Sequence, residues 1–309
     1  MDLKSVNGQL VKDTIVYVNG EYCYKSEAKI SIYDSGFQHG DGVYEGIRVY
    51  DDKIFMLEEH VKRLYESCKT LDIHINKTFE ELIEIVKETI RRNLDIGRED
   101  LHIRLQITRG IKGLTGMNPN MNLTNCSIVI CVDEKKPIFN KKGIKLITST
   151  LKRFSPNFID PKIHTTNQLN QIMAVIEANR QGADEAIMLD VNGFVSETNS
   201  TTLLMIKDNQ LIIPSTDYIL VGITRKIISD TAKSIDMKVI ERNISVSEFY
   251  NADEVFVCGT VGEIVPVVEI DGKLIAQGFP GNFTKKFSEK YRQLTHKLGV
   301  HVSSIYDKE

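Results

Sequence analysis

The stretch DPKIHTTNQLNQIMAVIEANRQGADE, residues 160–185, carries the strongest local signals in this chain. It predicts a helix over residues 168–181 that ends at Gly182, because glycine readily adopts the left-handed conformation that follows a helix. His164 lies in the polar segment before this helix. The unperturbed pKa of an imidazole, about 6.5, suits proton transfer near neutral pH. His164 is therefore a candidate general acid or base.

Hairpins dominate the sequence on both sides of this stretch. Asn19-Gly20 is a strong turn signal within residues 14–24. Further hairpins are predicted to turn at Asp51-Asp52, Asn192-Gly193 and Asp208-Asn209. Helices are predicted over residues 57–71, 79–94, 225–235 and 284–297. This pattern favours an α+β fold over the strand–helix alternation of a doubly wound parallel sheet.

The length of 309 residues predicts two domains, since a single core rarely grows beyond about 250–300 residues. Residues 135–143 are polar and contain proline and glycine, which are features of a linker. We therefore expect an N-terminal domain over residues 1–134 and a C-terminal domain over residues 144–309.

The composition is that of an ordinary globular enzyme, with 41% hydrophobic and 26% charged residues. A net charge of −3 gives no field that favours nucleic acid or a membrane surface. Five cysteines without a CxxC pair favour a reducing compartment and indicate no metal site. No apolar run reaches the roughly 18 residues of a membrane span, so we expect a cytoplasmic protein.

Four short features carry candidate binding chemistry, and each has an ordinary alternative. Gly222-Ile223-Thr224 opens a helix, where unpaired N–H groups can hold a phosphate or simply be capped. Thr260 lies in the run CGTVG, which can cup an anion or form a plain turn. Glu197 ends a hairpin strand, where it can bond a protonated ring nitrogen or remain exposed. Arg63 alone is a surface arginine on an amphipathic helix.

The order of seven blocks makes a stronger case than any one of them. The chain reads FQHGDGVYEGIRVY (residues 37–50), LEEHVKRLYESC (57–68), HIRLQITRG (102–110), NQLN followed by IEANRQGADEAIMLD (167–190), NGFVSETNS (192–200), GITR (222–225) and CGTVGEIVPV (258–267). Over nearly its whole length it resembles the class IV, or fold-type IV, pyridoxal-phosphate aminotransferases. The blocks are most similar to the branched-chain amino acid aminotransferase branch, because residues 111–116 lack the Arg-x-His pair of the D-amino acid branch.

The resemblance implies a small N-terminal α/β domain, a larger barrel-like C-terminal α/β domain, and a cofactor in the cleft between them. It also implies a homodimer that acts on a small amino or keto acid. By resemblance, Arg63, Ile223, Thr224 and Thr260 bind the cofactor phosphate, and Glu197 bonds the pyridine nitrogen. The substrate-side residues implied in the same way are His39, Tyr44, Arg104 and Val261.

His164 departs from the family pattern, because it stands where these enzymes carry the lysine that binds the cofactor covalently. Gln168 and His39 also replace tyrosines of the family. An imidazole cannot form a stable imine, so we expect pyridoxal 5'-phosphate or pyridoxamine 5'-phosphate to bind without a covalent bond. His164 would then move protons in place of the lysine.

Three alternatives to this hypothesis remain open. Lys162 is the fallback for the missing lysine, since residues 162 and 164 of an extended segment share a face about 6.6 Å apart. The chain would then be a conventional branched-chain aminotransferase. The second alternative is a catalytically silent protein that binds cofactor or metabolite. The third is cofactor-free chemistry in the same cleft.

Overall fold

The structure is a computed structural model that describes residues 5–6, 9–10, 12–94, 101–135, 139 and 142–303. The chain divides into two compact units. The first comprises Met1–Lys136, His164–Asn167 and Thr295–Glu309, and the second comprises Pro137–Ile163 and Gln168–Leu294. The predicted linker at residues 135–143 stays a prediction, because residues 136–138, 140 and 141 lie outside the described residues.

The predicted hairpins and the five predicted helices all occur in chain order, and the structure adds two short α-helices at Ser35–His39 and Val246–Tyr250. The N-terminal part contains β1 (Ser5–Val6), β2 (Gln9–Leu10), β3 (Ile15–Val18), β4 (Glu21–Tyr24), α1 (Ser35–His39), β5 (Gly42–Tyr50), β6 (Lys53–Ile54), α2 (Leu57–Thr70), α3 (Phe79–Arg91), β7 (Leu101–Thr108) and β8 (Ser127–Glu134). The remainder contains β9 (Ile144–Lys152), α4 (Leu169–Arg180), β10 (Glu185–Leu189), β11 (Val195–Thr198), β12 (Thr202–Lys207), β13 (Gln210–Pro214), α5 (Ile223–Lys233), β14 (Val239–Arg242), α6 (Val246–Tyr250), β15 (Glu254–Gly259), β16 (Glu263–Ile270), β17 (Lys273–Leu274), α7 (Asn282–Lys297) and β18 (Val300–His301).

The first unit is built on a seven-stranded sheet with the order β18-β6-β5-β7-β8-β3-β4, in which neighbouring strands are antiparallel. Alternate side chains of β5 point to the same face, and Val43, Ile47 and Val49 on that face are fully buried. Helix α2 packs against β5. Glu45 shares the register of these apolar residues, so the fold carries a carboxylate into the core of this unit.

The second unit contains a nine-stranded mixed sheet that curls into a half barrel. Its order is β11-β10-β9-β16-β15-β12-β13-β14, and β17 pairs with β16. The pairs β9–β10, β9–β16 and β13–β14 are parallel, and the other pairs are antiparallel. Helix α4 makes the crossover that the parallel pair β9–β10 requires. The predicted α+β fold with a barrel-like second part is confirmed.

Helix α4 exposes a stripe of large apolar side chains. Its residues Leu169, Ile172, Met173 and Ile176 recur at helical spacing and are all exposed. No helix within the described ranges is both long and apolar enough to cross a bilayer. The stripe on α4 is therefore an apolar surface on a helix of ordinary length.

Candidate functional site

The segment that carries His164 is held beside the start of β5. The Tyr44 N–H donates to the His164 carbonyl at 3.0 Å, and the Thr166 N–H donates to the Gly42 carbonyl at 2.9 Å. Thr165 forms an isolated antiparallel bridge with Val43. Backbone pairing thus fixes the position from which the His164 imidazole leaves the chain.

The His164 imidazole contacts the buried Glu45 carboxylate. His164 Nδ1 lies 3.2 Å from Glu45 Oε1, which also accepts from Arg63 Nε at 2.8 Å. The second oxygen, Glu45 Oε2, accepts from Arg63 Nη2 at 2.7 Å and lies 2.7 Å from His60 Nδ1. One carboxylate from β5 therefore organises two imidazoles and a bidentate arginine.

This arrangement keeps Glu45 charged and His164 neutral near pH 7. Burial raises the pKa of the Glu45 carboxyl, but the adjacent His164 imidazole and the hydrogen bonds from Arg63, His164 and His60 outweigh it, so this pKa lies well below its usual range. Burial lowers the pKa of His164, Glu45 opposes that effect, and Arg63 and His60 add to it. The net shift of the His164 pKa is downward, which favours the neutral imidazole.

Tyr44 and Arg104 join the same cluster. The Tyr44 ring centroid lies 4.1 Å from that of His164, with an angle of 37° between the planes. Arg104 Cζ lies 4.0 Å from the Tyr44 centroid, and Arg104 Nε donates to Gln106 Oε1 at 3.1 Å. The structure therefore brings together Arg63, Tyr44, Arg104 and His164 of the predicted site.

The sheet face around Arg104 carries a net positive charge, since Arg48, Arg104 and Lys135 outnumber Asp133. Arg48 and His102 are register partners on β5 and β7, and Arg104 lies two residues beyond His102. Burial lowers the pKa of His102 to about 4, and the charges of Lys135 and Arg48 act in the same direction. Burial also lowers the pKa of Lys135, with Arg104 and Arg48 adding to the shift and Asp133 opposing it. Such a face favours an anionic group.

His39 and Lys162 have other surroundings. His39 ends α1, is exposed, and its Nε2 lies 3.1 Å from the Gly116 carbonyl oxygen. Lys162 is exposed in the second unit, where the Ile163 N–H donates to the Asp160 carbonyl at 3.0 Å. That bond closes a turn over residues 160–163. Residues 160–163 are therefore not extended, although the expected position of Lys162 near that of residue 164 assumed an extended segment.

In the second unit, Glu197 is buried on β11 and forms an ion pair with Arg153. Arg153 directly follows β9, and its N–H donates to the Leu189 carbonyl at 2.8 Å. The Arg153 side chain is 10% exposed, and its Nε and Nη1 have no hydrogen-bond partner among the described residues. Glu197 is thus a buried carboxylate beside further unused donors.

The start of α5 and the turn at Thr260 lie near one another in this unit. Gly222 is the N-cap of α5 and makes no side-chain cap, while Thr224 in the first turn is buried. A Cβ added to Gly222 would lie 3.4 Å from Thr202 Oγ1, and Thr202 pairs with Cys258. Thr260 follows Cys258 closely in the turn between β15 and β16. An uncapped helix N-terminus with a nearby hydroxyl is suited to a phosphate.

Cys258 connects these features electrostatically. Burial raises the pKa of its thiol, while the charge of Arg225 opposes and that of Glu197 adds to the shift. Arg225 directly follows Thr224 in the first turn of α5. The Glu197 carboxylate and the start of α5 therefore both lie close enough to Cys258 to affect its pKa. The predicted cofactor needs an acceptor for its protonated ring nitrogen and donors for its phosphate. Glu197 and the start of α5 supply these groups, so the residues present fit the cofactor.

The sequence interpretation missed Glu45, His60 and Arg153. Glu45 had a readable signal, because it occupies an inward position of the otherwise apolar alternation Val43-x-Glu45-x-Ile47. His60 is three residues before Arg63 and lies at the edge of the apolar stripe of α2. Arg153 carried no local signal, since its partner is 44 residues later.

Comparisons with known proteins identify the family to which this chain is similar. A family model described as amino-transferase class IV matches residues 42–270. The branched-chain-amino-acid aminotransferase-like protein 2 of Arabidopsis thaliana is 43% identical over 294 residues, which are 95% of this chain and 52% of that protein. The chain therefore spans about half the length of the Arabidopsis relatives it matches. The putative branched-chain-amino-acid aminotransferase of Methanocaldococcus jannaschii is 40% identical over 93% of this chain and 98% of its own.

Solved structures match as well. The branched-chain amino acid aminotransferase from T.th., complexed with N-(5'-phosphopyridoxyl)-L-glutamate, superposes with a TM-score of 0.86 at 34% identity, covering 93% of this chain and 95% of its own. The branched-chain amino acid aminotransferase from Escherichia coli has a TM-score of 0.84 at 30% identity, covering 95% of this chain and 100% of its own. The match spans both units of the chain.

Proposed function

Because the chain belongs to the class IV aminotransferase family, we propose that it binds pyridoxal 5'-phosphate or pyridoxamine 5'-phosphate without a covalent bond and acts on amino and keto acids. His164 takes the place of the Schiff-base lysine in this proposal. The observation that carries it is the pair of His164 and Glu45. Backbone pairing fixes the position of His164. The Glu45 carboxylate and the Tyr44 ring then hold its imidazole in one orientation.

The second unit supplies the cofactor contacts. The first N–H groups of α5, at Ile223 and Thr224, bind the phosphate together with the Thr224 and Thr260 hydroxyls. Glu197 would accept a hydrogen bond from the ring nitrogen, and its ion pair with Arg153 places a positive charge beside the carboxylate. When bound, the cofactor supplies an electron sink for charge that develops at the substrate Cα.

The first unit supplies proton transfer and anion recognition. The neutral imidazole of His164 accepts a proton at Nε2 and returns it. Arg104 binds a carboxylate of the substrate, supported by the positive charges of Arg48 and Lys135 around it. Arg63 contributes charge for the phosphate, although its Nε and Nη2 donate to Glu45 here. His39, Tyr44 and the turn at Val261 remain the proposed substrate side.

The names of the relatives support a proposal for the substrate class. Their names specify branched-chain amino acids, so an aliphatic amino acid and its keto acid are the first pair to assay. The cationic face around Arg104 favours a dicarboxylate as the second amino-group partner.

We also propose a homodimer, in which the exposed stripe of α4 meets the second copy. Size-exclusion chromatography with light scattering should give twice the chain mass. Ile172→Lys should shift the protein toward the monomer, because a charge would replace an apolar contact. Gln181→Lys is the matched control, because Gln181 is the C-cap of α4, is already exposed and polar, and lies nine positions after Ile172 on the opposite side of the helix. A monomeric wild type would contradict the dimer.

The visible spectrum of the protein with added pyridoxal 5'-phosphate tests the cofactor proposal. Borohydride reduction and peptide mapping follow, and the same steps are applied to His164→Lys and Lys162→Arg. We expect bound cofactor with no covalent adduct in the wild type and in Lys162→Arg, and an adduct on the new lysine of His164→Lys.

Each alternative gives its own result. An adduct on Lys162 would identify a conventional aminotransferase and overturn the role of His164. The absence of cofactor binding would favour cofactor-free chemistry. Bound cofactor without amino-group exchange, in an assay with aliphatic amino acids and a keto acid, would identify a silent protein.

A further inference from the structure

Four nitrogen atoms lie within hydrogen-bond distance of the Glu45 carboxylate. Each oxygen has one guanidinium nitrogen and one imidazole nitrogen within hydrogen-bond distance, at 2.7–3.2 Å. Its side chain is fully buried. A buried charge with this many donors is held in one place, because moving it would leave donors unsatisfied.

The ionisation of Glu45 determines which nitrogens carry protons. An ionised carboxylate can only accept hydrogen bonds. His164 Nδ1 and His60 Nδ1 must therefore both be protonated to bond it. In a neutral imidazole the other nitrogen is then unprotonated, so His164 Nε2 carries a lone pair.

The groups around His164 come from two elements. Glu45 and Tyr44 belong to β5, His60 and Arg63 belong to α2, and the Ser67 hydroxyl of α2 accepts from the His164 N–H at 3.3 Å. Among these, Glu45 is the acceptor that faces Nδ1. The Tyr44 ring lies against the imidazole and does not distinguish its two nitrogens, and the Ser67 hydroxyl bonds the backbone rather than the ring.

We propose that Glu45 is a positioning residue that fixes His164 in the Nδ1–H tautomer and leaves Nε2 as the proton acceptor. This inference rests on the proposed function, in which His164 moves the proton. The carboxylate of a Ser-His-Asp triad orients its imidazole by the same principle. Loss of the carboxylate would then affect proton transfer more than binding.

The tautomer can be measured in the cofactor-free protein. Nitrogen-15 NMR of histidine-labelled wild type at about pH 8 should show His164 with a protonated Nδ1 and an unprotonated Nε2. The signal is assigned by its loss in His164→Gln. In Glu45→Gln we expect a mixture of tautomers, because a carboxamide can accept or donate.

Matched variants separate this role from general stability. Glu254→Gln removes another buried carboxylate, which accepts from the N–H groups of Phe283 and Thr284, and should leave the His164 signals unchanged. Glu45→Asp keeps an acceptor that cannot donate and should preserve the tautomer. If Glu45→Gln does not fold, an Nε2–H tautomer in the wild type would alone overturn the inference.

Kinetics give the second readout. We expect Glu45→Gln to lower kcat by about 100-fold or more, the scale of general acid–base catalysis, with KM changed by less than about threefold. Equal tautomer populations in the wild type and Glu45→Gln would contradict the positioning role. A covalent adduct on Lys162 would instead overturn the proposed function and leave the tautomer result standing.

Discussion

The Tyr44 ring lies against the His164 imidazole, with ring centroids 4.1 Å apart, and the guanidinium of Arg104 lies 4.0 Å from the same Tyr44 centroid. Tyr44 therefore connects the proposed proton-transfer residue to the cationic face. Both contacts use the ring rather than the hydroxyl, so they should survive the loss of the hydroxyl and disappear with the ring.

Tyr44→Ala should lower kcat by up to about tenfold, because a ring contact of this type contributes about 0.5–1.5 kcal/mol. Tyr44→Phe keeps both ring contacts and should lower kcat less than Tyr44→Ala. Tyr22→Ala is the matched control, since Tyr22 also has a ring neighbour, Tyr17 at 5.2 Å, and an arginine, Arg92 at 4.1 Å. An equal loss of kcat in Tyr22→Ala would refute a specific role for Tyr44.

The dependence of kcat/KM on pH should report the neutral form of His164. The pKa of His164 is lowered from its ordinary value of 6.5 in the folded protein, so kcat/KM should rise with pH through a midpoint below 6.5. In Glu45→Gln the midpoint should move further down, because the carboxylate that raises the pKa is gone while Arg63 remains. A midpoint above 6.5 in the wild type would contradict the assignment.

Arg63→Gln should destabilise the protein strongly, because it leaves the Glu45 carboxylate buried without its bidentate partner. Breaking one side of a buried ion pair costs about 3–5 kcal/mol. Urea unfolding near pH 7 measures the loss. Lys25→Gln removes the exposed pair with Asp133 in the same unit and should cost about 1 kcal/mol or less. Similar losses in both variants would show that Glu45 is not stabilised by Arg63.

Much of the fold could be predicted from local chemistry. The turn at Asn19-Gly20 has φ values of 51° and 109°, and Asp51-Asp52 has 46° and 64°, which are the left-handed conformations that such residues tolerate. Helix α1 was not predicted, since its five residues are too few for a periodic pattern. Its N-cap is Asp34, whose side chain accepts from the Gly36 N–H.

The candidate site was only partly predictable, because its pairs are distant in sequence. His164 meets Glu45 across 119 residues through the backbone bridge to β5. Family blocks indicated that both regions matter, and only the fold showed which atoms face one another. The parallel pairing of β9 with β10 is likewise set by the α4 crossover rather than by a turn signal.

The Arg153–Glu197 ion pair is the corresponding prediction for the second unit. Arg153→Met should cost about 3–5 kcal/mol of unfolding free energy, because it leaves a buried carboxylate without its cation. The double variant Arg153→Met/Glu197→Gln should recover most of that loss, since no buried charge remains. Arg242→Met, whose pair with Glu248 is exposed, should cost about 1 kcal/mol or less.

Cofactor binding separates the two residues of this pair. Glu197→Gln should also destabilise the unit, because it leaves the buried Arg153 cation without its carboxylate. In the folded fraction it should weaken the bound-cofactor spectrum, because a carboxamide has no charge to hold a proton on the ring nitrogen. The double variant should then be stable yet defective in cofactor binding. If the double variant were as unstable as Arg153→Met alone, Arg153 would stabilise the unit through its packing. The ion pair with Glu197 would then not be the source of the stability that Arg153 contributes.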